Sequence, residues 1–301
     1  MGAVFLGTPA AAVPSLTALA DVENVDLVIT RPPRRAGRGG TVTESPVMTA
    51  AQQFGFAVAT PETIEELEEI ISSGHFLFGV IVAYGRILTP SMLAAVEYGV
   101  LNLHFSLLPR WRGAAPVERA IAAGDDKTGV TLMKVDEGMD TGPILGEIVT
   151  PIGTDETGGS LTARLSFLGA SLIDSTVPEY LSGHRRPVPQ ITTGVTHAKK
   201  LTKSEARLES TLTAEQAERT IRAYQPRPVA WVETPHGSLR IQSAWPSEAA
   251  VTVGEISLVD GEVVAGFEDG AVRLDVVQPA GKPRVPAEAW MHGRRDEPVS
   301  F

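Results

Sequence analysis

Asn102 and His104 form the densest polar signal in the chain, at the start of a motif that continues through Pro109 to Gly113. The two residues are two positions apart, so on a strand their side chains point to the same face. Ligands bind at the carboxyl ends of strands in open α/β sheets. An amide and an imidazole placed there can stabilise developing charge or move a proton. The alternative is a polar pair that is satisfied inside the fold.

Asp140 supplies a carboxylate. It lies between Gly138 and Gly142, in a loop whose glycines allow close approach to other backbone. The alternative is a turn aspartate, which is the commonest use of Asp beside Gly. That alternative weakens if Asp140 is the partner of His104.

Strand and helix candidates alternate over residues 1–183, which predicts an open, mainly parallel α/β sheet. The apolar run at 78–83 is typical of a strand buried on both faces. Thr60-Pro61-Glu62 and Thr89-Pro90 have the features of helix starts, and residues 161–180 carry a long apolar stripe. The other strand candidates are residues 4–6, 25–30, 100–104, 130–135 and 144–149.

The pattern changes after Gly183. Residues 184–204 lack clear periodicity and indicate a linker between domains. Thr213 begins a capping box with Gln216, and short β-type runs follow, as in a small antiparallel barrel or sandwich. We therefore predict a first domain at 1–183, a basic linker at 184–204 and a second, smaller domain at 205–301.

Composition excludes several classes of protein. The chain has 301 residues, enough for about two domains. It contains no cysteine, which excludes disulfides, thiolate metal sites and a cysteine nucleophile. No apolar run reaches the roughly 18 residues that span a bilayer. We expect a cytoplasmic protein without a membrane partner.

The basic residues are concentrated although the formal net charge is −10. Residues 184–204 contain no acidic residue, a second cluster lies in a Gly- and Pro-rich loop at 31–40, and a third follows the Asn-x-His motif. Phosphate contacts depend on local potential, so an acidic protein with such clusters can still bind a polyanion. The alternative is that these are solvated loop residues.

Together these motifs resemble the methionyl-tRNA formyltransferase family. The resemblance covers nearly the whole chain, from the turn at residues 5–9 through the motifs at 82–85, 102–116 and 136–142 to the segment at 199–207. It implies a Rossmann-like formyltransferase domain with a mainly parallel sheet, followed by a smaller OB-like β-barrel domain. It also implies transfer of a formyl group from 10-formyltetrahydrofolate to methionine on initiator tRNA, for translation initiation.

The resemblance assigns catalysis to Asn102, His104 and Asp140, without a metal. An amine that attacks the formyl carbon creates a tetrahedral centre with charge on oxygen, and an amide donor to that oxygen is typically worth about 3 kcal/mol. His104 either donates to the same oxygen or moves the proton that the amine loses. Asp140 would orient His104 and accept or relay a proton. The folate-binding residues implied are Tyr84, Gly85, Ser106, Leu107, Leu108 and Pro109.

For tRNA, the resemblance implies binding by the loop at 31–40, the linker and the second domain, in a protein that we expect to be a monomer. The residues predicted to contact tRNA are Arg31, Arg34, Arg35, Arg38, Arg185, Arg186, Lys199, Lys200 and Lys203. Two features depart from the family. Family members commonly have two lysines where this chain has Gly40-Thr41, and Phe105 is bulkier than the small residue frequent there. More of the tRNA affinity would then fall to the linker and the second domain.

Other functions compete with this interpretation. A formyltransferase of the same fold acting on an amino-sugar nucleotide, or a formyltetrahydrofolate hydrolase, should lack the Ala-Gly-Arg-Gly loop at 36–39 and the basic linker. A non-catalytic tRNA-binding protein would not need Asn102, His104 and Asp140 together. A nicotinamide dehydrogenase is disfavoured because the first turn lacks Gly-x-Gly-x-x-Gly.

Overall fold

The chain folds as two units. The computed structural model describes residues 1–36 and 41–301. The first unit comprises Met1–Pro116, Lys127–Pro151 and Thr162–Ala198, and the second comprises Val117–Asp126, Ile152–Leu161 and Lys199–Phe301. The predicted boundaries at 183/184 and 204/205 stay a prediction.

The first unit is built on a large sheet. The strands of this unit, inside and outside the large sheet, are β1 (Ala3–Gly7), β2 (Val25–Ile29), β3 (Arg34–Ala36), β4 (Thr41–Thr43), β5 (Val58–Ala59), β6 (Phe78–Val82), β7 (Val100–His104), β8 (Arg112–Gly113), β9 (Lys127–Lys134), β10 (Ile144–Pro151) and β11 (His197–Ala198). Within the described residues, seven strands form the sheet in the order β10-β9-β7-β6-β1-β2-β5. The order reverses beside β1, which is the usual position of a ligand crevice.

Five neighbouring strands of that sheet are parallel, and β9 runs antiparallel to both β7 and β10. β1 is buried along its whole length, as its apolar sequence requires for a central strand. The predicted fold class, a mainly parallel α/β sheet followed by a barrel-like domain, is confirmed.

Helices follow the strands up to residue 181. They are α1 (Val13–Val22), preceded by a 3₁₀ turn at Ala10–Ala12, α2 (Pro46–Phe54), α3 (Ile64–Ser73), α4 (Pro90–Ala94), α5 (Pro116–Ala123) and α6 (Gly158–Leu181). Thr89 caps α4 as predicted, because its hydroxyl accepts from the Met92 amide at 3.3 Å. In the described part of the chain, no helix is both long and apolar enough to cross a membrane.

Two local predictions in this region were wrong. α3 begins after Thr63, whose side chain accepts from the Glu66 amide at 3.1 Å, and not after Thr60. Both threonines precede acidic residues, and the sequence gives them similar signals. The region predicted as a polar loop also contains two short strands, β3 and β4, that pair antiparallel.

The second unit carries an antiparallel sheet. Its elements are α7 (Ala214–Ala223), β12 (Trp231–Thr234), β13 (Gly237–Ser247), β14 (Glu255–Val259), β15 (Glu262–Phe267), β16 (Gly270–Pro279), β17 (Val285–Pro286), α8 (Ala287–His292) and β18 (Val299–Ser300). Among the described residues the strand order is β12-β13-β16-β15-β14-β18, and the sheet forms a nearly closed barrel. The capping box predicted at Thr213 is present, with reciprocal bonds to Gln216. The core of the second unit includes the buried side chains of Phe267, Trp290 and Met291.

Candidate active site

β7 positions two of the predicted catalytic side chains. Asn102 is paired with Ile81 of β6 and with Met133 of β9, so these three side chains form a row across one face of the sheet. His104 points to the same face two residues further on, next to Thr131 of β9. Asn102 is half-buried, whereas His104 is only 6% exposed. The sheet therefore holds the amide and the imidazole on a rigid base.

Asp140 reaches this pair from the loop at 135–143. One carboxylate oxygen, Oδ2, accepts a hydrogen bond from the Gly113 amide at 2.7 Å and lies 3.7 Å from His104 Nδ1. The other, Oδ1, lies 3.5 Å from Asn102 Nδ2. The structure thus brings the amide, the imidazole and the carboxylate together within 4 Å.

The tautomer of His104 follows from its second contact. Its Nε2 lies 2.9 Å from the carbonyl oxygen of Trp111, and a carbonyl can only accept. Nε2 therefore carries a proton. In the neutral ring this leaves the lone pair on Nδ1, the nitrogen that faces Asp140.

The loop that carries Asp140 is tightly folded. Asp136 Oδ1 accepts from the Gly138 amide at 3.1 Å and from the Thr141 hydroxyl at 2.6 Å. Gly142 passes so close to β9 that a Cβ there would lie 1.8 Å from the Lys134 carbonyl oxygen. Only glycine fits at this position. The glycine therefore allows the loop to return across the strand end and present Asp140.

A cavity of about 150 Å³ opens beside these groups. Its rim includes two exposed apolar side chains, Ile87 (73% exposed) and Met139 (61% exposed). Its lining consists of Ile81, Arg86, Ile87, Leu88, Asn102, Met133, Val135, Asp136, Glu137, Gly138, Met139 and Asp140. Among the residues described, no group of three or more His, Asp or Glu side chains is arranged to hold a metal ion.

Several cavity residues were not singled out from the sequence. Arg86, Ile87 and Leu88 follow β6, and their position after a central parallel strand is a signal that could have found them. Ile81 and Met133 gave no such signal, because an apolar residue in a strand has the same appearance whether it lines a cavity or a core.

The predicted folate residues 106–109 lie outside this lining. Ser106 donates from its hydroxyl to the Arg110 carbonyl at 2.6 Å, and its own carbonyl accepts from the Thr131 hydroxyl at 2.7 Å. The Thr131 hydroxyl oxygen also accepts a hydrogen bond from the Leu108 amide at 3.2 Å. These bonds hold the segment after β7 against β9. A role of Ser106, Leu107, Leu108 and Pro109 in folate binding stays a prediction.

Tyr84 and Gly85 follow β6 and directly precede the cavity-lining residues Arg86 to Leu88. Tyr84 is buried, which raises the pKa of its phenol. Gly85 is exposed and adopts a φ of 83° with open space around it. Burial and the nearby Arg86 lower the pKa of Arg31. A role of Tyr84 and Gly85 in folate binding also stays a prediction.

The predicted tRNA-binding residues differ in their surroundings. Arg185 is bonded to the Glu179 carboxylate at 2.7 Å and to the Leu145 carbonyl at 2.9 Å. Arg31 is half-buried. Arg38 lies outside the described residues. The exposed members are Arg34, Arg35 and Arg186 in the first unit and Lys199, Lys200 and Lys203 in the second.

Comparison with known proteins gives the family. A family model described as formyl transferase matches residues 3–177, and one described as formyl transferase, C-terminal domain, matches residues 200–295. A methionyl-tRNA formyltransferase of Halorhodospira halophila is 45% identical, over 98% of this chain and 98% of the relative.

Solved structures give the same fold. An N-formyltransferase from Helicobacter canadensis, in complex with folinic acid and dTDP-3-aminofucose, superposes with a TM-score of 0.71 at 18% identity, over 90% of this chain and 98% of that one. HypX from Aquifex aeolicus in complex with tetrahydrofolic acid superposes with a TM-score of 0.67 at 15% identity, over 97% of this chain and 47% of the longer one. With its two matched family models and a full-length relative at 45% identity, the chain belongs to the methionyl-tRNA formyltransferase family.

Proposed function

We propose that this chain is an enzyme that transfers the formyl group of 10-formyltetrahydrofolate to the α-amino group of methionine on initiator tRNA. The observation that carries the proposal is the convergence of Asn102, His104 and Asp140 beside a cavity, in a chain with a full-length relative at 45% identity. The product is N-formylmethionyl-tRNA, used in translation initiation.

The cavity has the chemistry that a folate ring requires. A pterin is flat and has ring N–H donors, and the lining offers the apolar side chains of Ile87 and Leu88 together with the carboxylate acceptors of Asp136 and Asp140. Solved relatives of the fold are complexes with folinic acid and with tetrahydrofolic acid. When bound, the co-substrate supplies the formyl carbon and the nitrogen that leaves it.

The three side chains have distinct roles in this proposal. Asn102 donates from Nδ2 to the formyl oxygen while negative charge develops there, and it does so without titrating. His104 takes the proton that the attacking amine loses, at Nδ1, because Nε2 is held by the Trp111 carbonyl. The same proton is then given to the folate nitrogen as its bond to the formyl carbon breaks, which regenerates the neutral imidazole. Asp140 stabilises the imidazolium from 3.7 Å and is itself fixed by the Gly113 amide.

The acceptor is a charged tRNA, and the exposed basic residues support this part of the proposal. Lys199, Lys200 and Lys203 lie in the second unit, and Arg34 and Arg35 in the first, with side chains open to solvent. Each can neutralise a backbone phosphate. Preference for initiator tRNA, a monomeric state and a cytoplasmic location stay predictions.

A formylation assay tests the proposal. The protein is mixed with 10-formyltetrahydrofolate and methionyl initiator tRNA, and in parallel with methionyl elongator tRNA, free methionine or dTDP-3-aminofucose. We expect rapid formylation of the initiator tRNA alone, and none by the His104→Ala variant. Formylation of the amino sugar would instead assign the chain to the sugar-nucleotide activity. Donor hydrolysis that is independent of any acceptor would assign it to the hydrolase activity.

A further inference from the structure

Gln190 connects the two segments that hold Asp140. It follows Val188, whose backbone makes a reciprocal pair of hydrogen bonds with Ile144 at the start of β10. The Gln190 side-chain amide donates from Nε2 to the carbonyl oxygen of Asp140 at 2.9 Å and to that of Gly142 at 2.8 Å. Both Nε2 protons are thereby directed at the catalytic loop.

The acceptor end of the same side chain holds β8. Gln190 Oε1 accepts from Arg112 Nη2 at 2.6 Å and from Arg112 Nε at 3.2 Å. Arg112 directly precedes Gly113, whose amide binds the Asp140 carboxylate at 2.7 Å. One side chain therefore fixes both the backbone that carries Asp140 and the strand that supplies its hydrogen-bond donor.

Asp140 needs this support because of its backbone. Its φ is 54°, in the left-handed region that non-glycine residues rarely adopt. Such a conformation persists only where the surrounding structure over-determines it. The bond from Gln190 to the Asp140 carbonyl acts on the peptide unit that directly follows this conformation, and the bond to the Gly142 carbonyl holds the loop two residues further on.

We propose that Gln190 is a positioning residue for catalysis: its amide holds Asp140 at the distance from His104 and Asn102 that the reaction requires. This rests on the proposed function, since the positioned carboxylate is the one that acts on His104. Gln190 acts on Asp140 through the two bonds that it donates, and the two bonds that it accepts from Arg112 are secondary. A displacement of about 1 Å in a catalytic group can cost about 10²-fold in rate.

Two variants separate the two ends of the side chain. Gln190→Met keeps the length of the side chain and removes both the amide donor and the carbonyl acceptor. Gln190→Glu keeps an acceptor for Arg112 but turns an oxygen toward the Asp140 and Gly142 carbonyls. We expect kcat to fall about 10²-fold in both variants, with KM for donor and for tRNA within about twofold of the parent, since the lost interaction acts on the transition state. Gln278→Met is the matched control, because Gln278 also donates from its amide to a backbone carbonyl, that of Lys282 at 3.0 Å.

The measurements distinguish positioning from folding and from the function itself. Folate-binding stoichiometry and the thermal midpoint are measured for every variant, and kcat is expressed per folate site. Loss of kcat per site in Gln190→Met and in Gln190→Glu, but not in Gln278→Met, supports the proposal. Retained kcat in Gln190→Glu, or a loss explained wholly by fewer folate sites, overturns it. A parent protein that formylates no methionyl-tRNA overturns the proposed function instead.

Discussion

At the scale of single residues, the site combines two ionisable side chains, those of His104 and Asp140, with the neutral amide of Asn102. Asn102 is a neutral donor in a row of strand side chains, and its amide lies 3.5 Å from Asp140 Oδ1, too long for a strong bond. Its protons therefore remain available for an oxygen that acquires charge during the reaction. Asn102 should therefore lower the free energy of the transition state without strengthening substrate binding.

Asn102→Ala tests this role. We expect kcat to fall about 10²- to 10³-fold, the usual cost of losing one donor to a developing oxyanion, with KM for both substrates little changed. Steady-state kinetics with saturating donor measures it. The control is Asn24→Ala, since Asn24 is the chain's only other asparagine and is exposed. An unchanged kcat with a raised KM would mean that Asn102 binds the ground state equally well.

Glu118 gives a pH-dependent prediction for stability. Burial raises the pKa of this carboxyl above its ordinary value, and a backbone hydrogen bond and the nearby Arg119 only partly oppose the effect. The Glu118 carboxyl therefore ionises at lower pH in the unfolded chain than in the folded protein. Its ionisation destabilises the folded state as the pH rises above the pKa that Glu118 has in the unfolded chain. Glu118→Gln removes this cost, so its stability gain relative to the parent should be larger at pH 8 than at pH 5. Urea unfolding at both values measures the gain.

The exposed Glu248 provides the control for that experiment. Glu248→Gln should shift the urea midpoint by the same small amount at pH 5 and pH 8. An equal shift of Glu118→Gln at the two pH values would contradict a raised pKa in the folded state.

Local spacing reveals some site residues and not others. Asn102 and His104 could be predicted because the two-residue strand period places them on one face without any tertiary information. Gln190 contacts Asp140, which is 50 positions earlier in the chain. No local pattern marks such a residue, because its role depends on how the segment after α6 returns to the catalytic loop.

At the scale of elements, α7 contains two ion pairs of equal spacing and unequal burial. Arg222–Glu218 is largely enclosed, with side chains 14% and 9% exposed, whereas Arg219–Glu215 has side chains 27% and 69% exposed. Arg222 also donates to the Glu156 carbonyl at 2.8 Å. Equal i,i+4 geometry on one helix makes these pairs a direct comparison of buried and exposed charge.

Arg222→Met should destabilise the protein by about 3–5 kcal/mol, because it leaves the Glu218 carboxylate buried without its partner. Arg219→Met, the matched control, should cost about 1 kcal/mol or less, as exposed pairs do. Urea unfolding followed by tryptophan fluorescence measures both, and Trp231, Trp245 and Trp290 report on the second unit, which contains α7. Equal costs for the two variants would show that burial of the Glu218 carboxylate does not decide the outcome.

Elements with strong local signals were predictable, and those with competing signals were not. The apolar run of β6 and the capping box of α7 each agree with their tertiary environment. The start of α3 was misplaced by three residues because Thr60 and Thr63 both suit an N-cap. β14 and α8 were not predicted at all, since they are short and need their neighbours in the barrel to form.

At the scale of the whole molecule, a net charge of −10 opposes the approach of a polyanion. Binding of tRNA therefore depends on local clusters of basic residues. All three lysine side chains of one such cluster, Lys199, Lys200 and Lys203, are exposed. Each lysine that neutralises a phosphate releases counterions, so affinity falls as salt rises.

The triple variant Lys199→Ala, Lys200→Ala, Lys203→Ala tests this dependence. We expect the slope of log affinity against log salt concentration to become shallower by about two to three units, because three phosphate contacts are lost. Filter binding or fluorescence anisotropy with methionyl initiator tRNA, from low to high salt, measures the slope. The control replaces three exposed basic residues of the same unit outside the predicted clusters, Arg240, Lys282 and Arg284, with alanine. It changes the net charge equally, so an equal loss of slope would mean that the cluster at 199–203 contributes no more to the affinity for tRNA than other basic residues of the second unit.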